Sequence, residues 1–353
     1  MKVGILTYHD TNNFGAQLQA ASVQRFLQAE GFDAELIDFR PYRHEIRRNM
    51  TLLRAIKRLD FKGLKRELAS NRRFRNSIFG MAKVSARSAF FSSQIPALSQ
   101  RYDAIVCGSD ELWNFGNYRG YMAPYILDFA VRPNVRKISY AASIGSYKPS
   151  PEMRDKMKKA LMDFSAILVR DPTTLAFANE LGFEAKRVVD PTFLADLDPI
   201  RPPIDDYIMM SGVMKTPQVT QALEAAQSLG LRVVTVGVRY PGHAELHVPA
   251  TPREWIGYVK YARHHITSLF HGAALSLKYE TPFCVFRTLG KEQKIFSLLD
   301  WMGEPSRSVS PEASAEEITR VVTSDLSAEL QMTRDGRIAE SRTLFLSALA
   351  GSD

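Results

Sequence analysis

Short apolar runs alternate with amphipathic helical patterns along the first half of the chain. The run at Lys2–Thr7 predicts a buried strand, a helical pattern then continues to Gly31, and Glu35–Phe39 predicts the next strand. Further strands are predicted at 104–107, 137–140, 166–169 and 187–189. Strands joined by helices through short connections predict a parallel sheet with right-handed crossovers.

The second half repeats this rhythm after a proline-rich segment. Leu197–Pro203 contains three prolines and predicts a linker, which places a domain boundary near Pro199. Strands are then predicted at 207–210, 232–236, 265–267 and 283–286, with helices at 218–229, 252–263 and 271–279. The pattern predicts an α/β fold of two doubly wound, Rossmann-like domains facing a cleft. The expected division is an amino-terminal domain at 1–198, a carboxyl-terminal domain at 199–310 and a helical tail at 311–353.

A basic segment interrupts the amino-terminal domain. Between Arg40 and Arg87 there are 15 Lys and Arg against 3 Asp and Glu, which gives this segment a net charge of +12. Because the whole chain carries +8, the remaining residues together carry −4. Leucines and isoleucine recur there at helical spacing, which predicts a helical insertion at about 43–91. Two interpretations stay open: a solvated helical hairpin, or a basic amphipathic surface at 43–87 that binds anionic lipid head groups or an anionic acceptor.

Composition limits the compartment and the cofactors. Hydrophobic residues make up 45% of the 353 residues, and no long apolar run predicts a signal peptide or a membrane span. Cys107 and Cys284, the two cysteines, fall in predicted buried strands without neighbouring metal ligands. We expect a cytoplasmic protein with neither a metal site nor a resident cofactor, docked peripherally at the inner face of the membrane if the basic segment binds lipid.

Candidate chemistry lies where predicted strands end, because loops and helix amino-termini converge there in open parallel sheets. In the second half, Thr267–Gly272 predicts a strand that turns directly into a helix through Ser, His and Gly, an arrangement that suits an anion. Structural roles are also open: Ser268 as a helix cap, His271 packed in the interior, Arg170 in an ion pair, and Asp110 or Asp190 in turns.

Taken together, these motifs resemble the polysaccharide pyruvyl transferase family, in order along most of the chain. The matching segments are Gly4–Tyr8, Asn13–Ala20, Gly108–Asn114, Tyr125–Phe129, Ile138–Ser143, Val169–Asp171, Val189–Thr192, Ile266–Gly272 and Thr281–Phe283. Two positions depart from the family pattern. Glu111 stands where Gln is usual, and Lys294 stands where many members carry arginine, which keeps the charge but loses the bidentate fork.

The resemblance implies a two-domain fold like that of the GT-B glycosyltransferases. It also implies transfer of an enolpyruvyl-derived group from phosphoenolpyruvate to two sugar hydroxyls of a cell-envelope or exopolysaccharide precursor, forming a pyruvate ketal. The acceptor would be a sugar or an oligosaccharide linked to polyprenyl diphosphate. A donor with about three negative charges needs cations, hydroxyls and helix amino-termini.

On this basis we expect His271 to be the general acid and base, with Arg170 clamping the donor and Asp110 as a second base. The remaining expected donor contacts are Ser268, Gly272 and Lys294. The acceptor is expected to bind Asn13, Phe14, Gly15, Asp110, Trp113 and Asn114, with an aromatic ring stacked on the sugar.

Two rival functions are open. A GT-B nucleotide-sugar glycosyltransferase would use the same two-domain plan with a different donor. A nucleic-acid-binding protein would use the basic segment, but that segment lacks interleaved aromatics and the rest of the chain is slightly acidic, so no nucleic-acid partner is expected.

Overall fold

Two separate parallel sheets form the cores of the chain. The computed structural model describes residues 1–46, 50, 56, 61–287 and 292–351. Unit 1 comprises Met1–Ala195 and the chain from Glu340 onward, and unit 2 comprises Asp196–Ala339. The division after Ala195 lies close to the predicted boundary at residue 199, whereas the predicted tail at 311–353 is shared between the two units.

The bounds of the strands and helices are as follows. Unit 1 contains β1 (Lys2–Leu6), α1 (Phe14–Ala29), β2 (Asp33–Phe39), α2 (Phe61–Met81), β3 (Val84–Ala89), α3 (Ile95–Ser99), β4 (Ala104–Gly108), β5 (Arg136–Ala142), α4 (Pro151–Leu161), β6 (Phe164–Val169), α5 (Pro172–Glu180) and β7 (Ala185–Arg187). Unit 2 contains β8 (Tyr207–Ser211), α6 (Thr216–Ser228), β9 (Arg232–Val236), β10 (His247–Val248), α7 (Pro252–Lys260), β11 (His264–Thr267), α8 (Phe270–Tyr279), β12 (Phe283–Phe286), α9 (Glu292–Trp301), β13 (Ser308–Val309) and α10 (Ala315–Thr323). Helix α11 (Leu330–Ala350) begins in unit 2 and ends in unit 1.

Both sheets have the strand order of a doubly wound fold. Unit 1 has the order β3-β2-β1-β4-β5-β6-β7 and unit 2 the order β10-β9-β8-β11-β12-β13, with parallel pairing in each. This confirms the predicted α/β class with two Rossmann-like domains. In each sheet the order reverses between two central strands, β1 and β4 in unit 1 and β8 and β11 in unit 2. Ligands of doubly wound folds bind outside the carboxyl ends of such strand pairs.

The first helix is buried on most of its faces, which is unusual for a sequence with four glutamines. Leu18, Phe26 and Leu27 pack into the core of unit 1. Three of the four glutamines, Gln17, Gln19 and Gln24, are also buried. Gln17 donates to the Thr11 and Phe74 carbonyls, and Gln24 donates to the Ala34 carbonyl. Hydrogen bonds of this kind offset the desolvation that burial imposes on a polar side chain.

The basic segment is not entirely a helical insertion. Helix α2 lies within it, and residues 42–46 are also helical, but Val84–Ala89 forms an edge strand that pairs in parallel with β2. Two serines of β3 bond to Asp38 of β2 and so explain the difference. Ser85 accepts from the backbone N–H of Asp38, and the Ser88 hydroxyl donates to the Asp38 carboxylate. Arg47, Arg48, Arg54, Lys57 and Arg58, the cations central to the predicted lipid surface, lie outside the described residues.

The end of helix α11 completes the core of unit 1. The Phe345 ring stacks against Phe26 at 5.9 Å and Tyr140 at 4.4 Å between centroids. Ser341 accepts a hydrogen bond of 2.9 Å from the backbone N–H of Val189. Residues from 340 onward are therefore an integral part of unit 1.

Candidate active site

The predicted strand-to-helix turn of unit 2 lies at the reversal point of its sheet. Strand β11 ends at Thr267, and helix α8 begins at Phe270, so Ser268 and Leu269 alone form the turn. The Ser268 N–H donates to the Ser211 carbonyl at 3.1 Å, and its hydroxyl donates to the Val213 carbonyl at 2.9 Å. The turn after β11 is thereby bonded to the loop after β8. Ser268 is a link between two loops and not a side-chain cap of the helix.

Two glycines allow this close packing. A Cβ at Gly272 would lie 2.2 Å from the Thr267 hydroxyl oxygen, and a Cβ at Gly212 would lie 2.3 Å from that of Ser268. Gly212 also has a φ of +97°, which L side chains rarely adopt. The hydroxyl of Thr267 accepts a 3.1 Å hydrogen bond from the Leu269 N–H and so fixes the turn that precedes His271.

Buried polar side chains support the turn from below. His265 is fully buried, with Nε2 2.9 Å from the Ser211 hydroxyl and Nδ1 2.8 Å from the Ser276 hydroxyl. The Ser276 hydroxyl donates to the Gly272 carbonyl, so it accepts from His265 Nδ1–H. Burial lowers the pKa of His265 to about 3, which keeps the ring neutral. The network joins β8, β11 and α8.

His271 lies in the first turn of helix α8. Its ring is half-buried and contacts the Phe270 ring edge-to-face, with centroids 5.3 Å apart. Leu269, which precedes the helix, makes no side-chain cap. The Nζ of Lys294, from α9, lies 5.8 Å from the centroid of Phe270. The imidazole thus lies at the amino-terminus of α8, and the ammonium group of Lys294 lies near the neighbouring Phe270 ring, a combination that favours a negatively charged ligand.

Arg170 occupies a different environment from the one expected of a donor clamp. It is 5% exposed, and its Nη1 donates to Asp190 at 2.9 Å. Burial by itself would lower the pKa of Arg170, but the carboxylates of Asp190, Asp110 and Asp171 outweigh burial and raise that pKa. The structure therefore brings the predicted loops after β4, β6 and β7 together. A buried guanidinium that is already paired with Asp190 fits a structural role better than a clamp on an anionic donor.

Asp190 is the centre of this cluster. Besides Arg170, its carboxylate accepts from the Gln19 amide at 2.6 Å and from the N–H and hydroxyl of Thr192 at 3.1 and 2.8 Å. Asp110 follows Ser109 in a tight turn in which both residues have positive φ values, of 56° and 64° respectively. Asp110 is half-buried, so it remains accessible from one side.

One of the two aromatic residues predicted to stack on a sugar is in the interior. Trp113 is 0% exposed, and its indole N–H donates to the Tyr125 carbonyl at 3.1 Å. No face of the ring is open to a ligand, so the expected acceptor contact at Trp113 does not fit the structure. Asn114 is half-buried and donates to the carboxylate of Glu111 at 2.9 Å, which shows a structural use for that acid.

The three residues predicted after the first strand build the start of helix α1. The side chain of Asn13 caps the helix by accepting from the Ala16 N–H at 3.3 Å. The Phe14 ring packs on Phe74 of α2, with centroids 4.8 Å apart, and Gly15 is buried. These positions have local structural roles, and the residues just before them face a cavity instead.

That cavity, of about 310 Å³, lies in unit 1 outside the carboxyl ends of β1 and β2. Its lining combines aromatic rings with charged and amide side chains. The lining residues are Tyr8, His9, Asp10, Thr11, Asn12, Phe39, Arg40, Pro41, His44, Glu45, Glu67, Asn71, Tyr118, Arg119 and Tyr125. Pockets of this size with a few placed polar groups are typical of small-molecule sites.

A buried charge cluster stabilises one wall of the cavity. Asp38 accepts two 2.8 Å hydrogen bonds from Arg40 and one of 3.0 Å from His9 Nε2. Burial tends to raise the pKa of Asp38, but the hydrogen bonds from His9, Arg40 and Ser88 outweigh burial and hold that pKa well below its ordinary value. Because His9 Nδ1 also contacts the Thr7 carbonyl at 3.3 Å, both ring nitrogens are occupied and His9 positions Asp38.

Arg119, another lining residue of the cavity, lies against two tyrosine rings. Its guanidinium carbon is 4.3 Å from the Tyr8 ring centroid and 4.8 Å from that of Tyr118. Among the described residues, the buried Nε of Arg119 has no hydrogen-bond acceptor. Burial raises the pKa of Tyr8, although Arg119 acts in the opposite direction, so Tyr8 stays a neutral hydroxyl.

Sequence reasoning missed most of this cavity. Asp10 and Asn12 lie in the polar loop after the first predicted strand, but Tyr8, Arg40 and Arg119 did not stand out. Two signals were available: a charged Asp38 within a buried strand pattern, and the Tyr118-Arg119-Gly120 sequence in a loop after a strand.

Two kinds of feature are absent from the described part of the chain. No group of three or more His, Cys, Asp or Glu side chains within it is arranged to hold a metal ion. No helix within it combines the length and the apolar character needed to cross a bilayer.

The fold of the chain is similar to that of two solved structures. UDP-GlcNAc 2-epimerase from Neisseria meningitidis, bound to UDP-GlcNAc, has a TM-score of 0.56 and 10% identity over 100% of both chains. Staphylococcus aureus MnaA bound to UDP has a TM-score of 0.52 and 10% identity, covering 99% of this chain and 94% of the other. At these identities the likeness shows the fold alone, which is of the GT-B type.

The family is defined by sequence. The model of the polysaccharide pyruvyl transferase family matches residues 13–289, which span parts of both units. The chain therefore belongs to the polysaccharide pyruvyl transferase family, and the resemblance inferred from its motifs is confirmed. A search of curated proteins found no significant match.

Proposed function

We propose that the chain transfers the pyruvyl group of phosphoenolpyruvate to two hydroxyls of a sugar in a cell-envelope or exopolysaccharide precursor. The observation that carries the proposal is the turn at 267–272 of a family member, where His271 lies at the amino-terminus of α8 and Lys294 lies near the Phe270 ring. A phosphate or carboxylate of the donor would interact with Lys294 and the helix amino-terminus.

The chemistry balances with one acid. His271 delivers a proton to the methylene carbon of the donor, and a sugar hydroxyl bonds to the adjacent carbon, losing its own proton. A second hydroxyl then bonds to the same carbon as the carbon–oxygen bond to phosphate breaks. Of the two hydroxyl protons released, one restores the acid and the other leaves with phosphate. A half-buried imidazole can exchange protons in this way.

The acceptor, in this proposal, binds in the 310 Å³ cavity of unit 1. Tyr8 and Tyr118 supply aromatic surface, and Asp10 and Asn12 supply acceptors and donors for sugar hydroxyls. The buried Nε of Arg119 suits an acidic substituent on that sugar. Arg170, which the sequence placed on the donor, is assigned instead to holding the loops of unit 1, with Asp110 retained as a proposed base.

Donor binding can be tested without knowing the acceptor. Thermal melting with phosphoenolpyruvate at 100 times its dissociation constant should report about 2.7 kcal/mol of stabilisation, and Lys294→Ala should weaken it. UDP-GlcNAc serves as the competing donor. Stabilisation by the nucleotide sugar and not by phosphoenolpyruvate would support a glycosyltransferase and refute the proposal.

Turnover is measured by phosphate release together with a product that has gained one pyruvate less one water. His271→Ala should lower kcat by about 100-fold or more. His243→Ala is the matched control, because this partly exposed histidine of unit 2 lies outside the turn. Equal kcat values for the two variants would exclude His271 as the acid.

A further inference from the structure

Helix α2 exposes a stripe of three large apolar side chains. Phe61, Leu68 and Phe79 are 66%, 49% and 51% exposed, although large apolar side chains usually face the core. At about 100° per residue, positions 61, 68 and 79 fall within about 20° of one another around the helix axis. The three side chains therefore form one line along the outer face of α2.

Cations are interleaved with this stripe. Lys65, Arg72 and Arg75 are exposed and lie within about 60° of the same line around the helix. The helix as a whole carries six Lys and Arg and a single acid, Glu67. Exposed Phe and Leu flanked by cations are the composition of helices that lie in the interface of an anionic bilayer. We call the six exposed residues 61, 65, 68, 72, 75 and 79 the α2 outer face.

A flank of the same helix, about 80–120° around the axis from this line, contributes to the proposed acceptor cavity. Glu67 and Asn71 line it, and Asn71 accepts a hydrogen bond from Asn12 in the loop after β1. Phe74 and Ile78 anchor the helix in unit 1, where they are 6% and 1% exposed. A single rigid helix thus has one flank toward the cavity and its outer face toward solvent.

We propose that the α2 outer face docks unit 1 on an anionic lipid bilayer, with the cavity beside the docking helix. The apolar residues would enter the head-group boundary while the cations contact lipid phosphates. A sugar attached to a membrane-embedded carrier would then be presented beside the cavity wall formed by Glu67 and Asn71. This last step rests on the proposed function, whereas the docking itself does not.

Vesicle sedimentation of the full chain tests the docking directly. We expect binding to phosphatidylcholine vesicles containing about one-third phosphatidylglycerol and little binding to pure phosphatidylcholine. Replacing Lys65, Arg72 and Arg75 by Gln should reduce the partition coefficient by roughly 100-fold, at about fivefold per cation. Replacing Phe61, Leu68 and Phe79 by Ser should abolish the binding that persists at about 1 M salt, because salt screens only the charges.

A matched control removes three exposed lysines elsewhere in unit 1. Lys148, Lys158 and Lys159, all replaced by Gln, should leave sedimentation within about twofold of the parent chain. Equal losses in both triple variants would mean non-specific charge attraction and would overturn the proposal. Binding to duplex nucleic acid in place of vesicles, or a change of oligomeric state in the Ser variant without vesicle binding, would also overturn it.

The transfer assay separates this inference from the proposed function. The α2 variants should keep their melting temperature and their turnover of a soluble acceptor, and should lose turnover of an acceptor embedded in anionic vesicles. If no acceptor is pyruvylated but vesicle binding follows the pattern above, the docking stands and the proposed reaction fails. If turnover of the embedded acceptor is unaffected by the variants, the docking proposal fails alone.

Discussion

The buried ion pair between Arg170 and Asp190 gives the sharpest test of how unit 1 is built. The Asp190→Asn variant keeps the shape of the side chain but removes its charge. Arg170 would then remain buried opposite a neutral amide, with its side chain 4% exposed. Breaking a buried pair by removing one charge typically costs 3–5 kcal/mol. Because the substituted amide could still accept from Thr192 through its oxygen, we expect a loss at the lower end, about 3 kcal/mol.

The matched control is an exposed pair of the same type. Arg154 and Glu180 lie 2.9 Å apart with their side chains 34% and 60% exposed. For Glu180→Gln we expect a loss below about 1 kcal/mol, because water compensates both charges. A further variant, Arg170→Met with Asp190→Asn, should lose less than the sum of the single variants, since it leaves no buried charge without a partner.

Urea unfolding provides the measurement, read separately for each unit. Hydrogen–deuterium exchange of peptides from β4 to β7 follows unit 1, and peptides from β8 to β12 serve as an internal reference. If Asp190→Asn is no more destabilising than Glu180→Gln, Arg170 is not held by Asp190. Its guanidinium would then be available to a ligand, as the sequence suggested, and the structural assignment would be refuted.

Three further predictions concern unit 2. His265 has a folded pKa of about 3 against an ordinary value of 6.5, so between these values the unfolded chain binds the extra proton. The contribution of neutral His265 to the free energy of unfolding is therefore fully present above pH 6.5 and falls as the pH drops, by about 2 kcal/mol at pH 5. Melting of a His265→Gln variant across this range should show that this pH dependence is lost. Gly272→Ala should destabilise unit 2 by about 1–3 kcal/mol, because its Cβ would meet the Thr267 hydroxyl. The control Gly336→Ala, which has open space around its Cβ, should stabilise unit 2 slightly. Similar shifts in melting temperature for the two variants would contradict the clash at Gly272. Lys294→Arg should retain the KM for phosphoenolpyruvate, and Lys294→Met should raise that KM about tenfold, as measured by steady-state kinetics. Equal KM values for the two variants would contradict the assignment of Lys294 to the donor.

The strands of unit 2 could be predicted closely because their apolar runs are bounded by turn residues. The run at 232–236 begins after Gly230 and ends before Gly237, and the observed β9 has the same bounds. Strand β3 escaped prediction because its buried and exposed positions do not alternate: Ser85 and Ala89 are buried, and the three residues between them are exposed. The two-residue strands β10 and β13 are too short to form any periodic pattern.

The site shows a different limit of sequence reasoning. Strand order and loop position determine which residues gather at the carboxyl edge, and the loops after β4, β6 and β7 do meet there. Side-chain direction within a loop depends on tertiary packing, so the inward indole of Trp113 and the cavity position of Arg119 had no periodic signal. The 267–272 turn could be predicted because its strand-to-helix pattern with Ser, His and Gly, unlike side-chain direction, is visible in the sequence, and the family motif matches the same residues.

The path of the backbone through unit 1 has a consequence for how the protein is made. The first 195 residues leave a gap in the core of unit 1 that Phe345 and its neighbours on helix α11 fill. During translation, all of unit 2 is synthesised before the segment that begins at Glu340. The sheet of unit 1 therefore remains incompletely packed until that segment is made, while unit 2 can already begin to fold. We expect chaperones to bind mainly to unit 1 during this time.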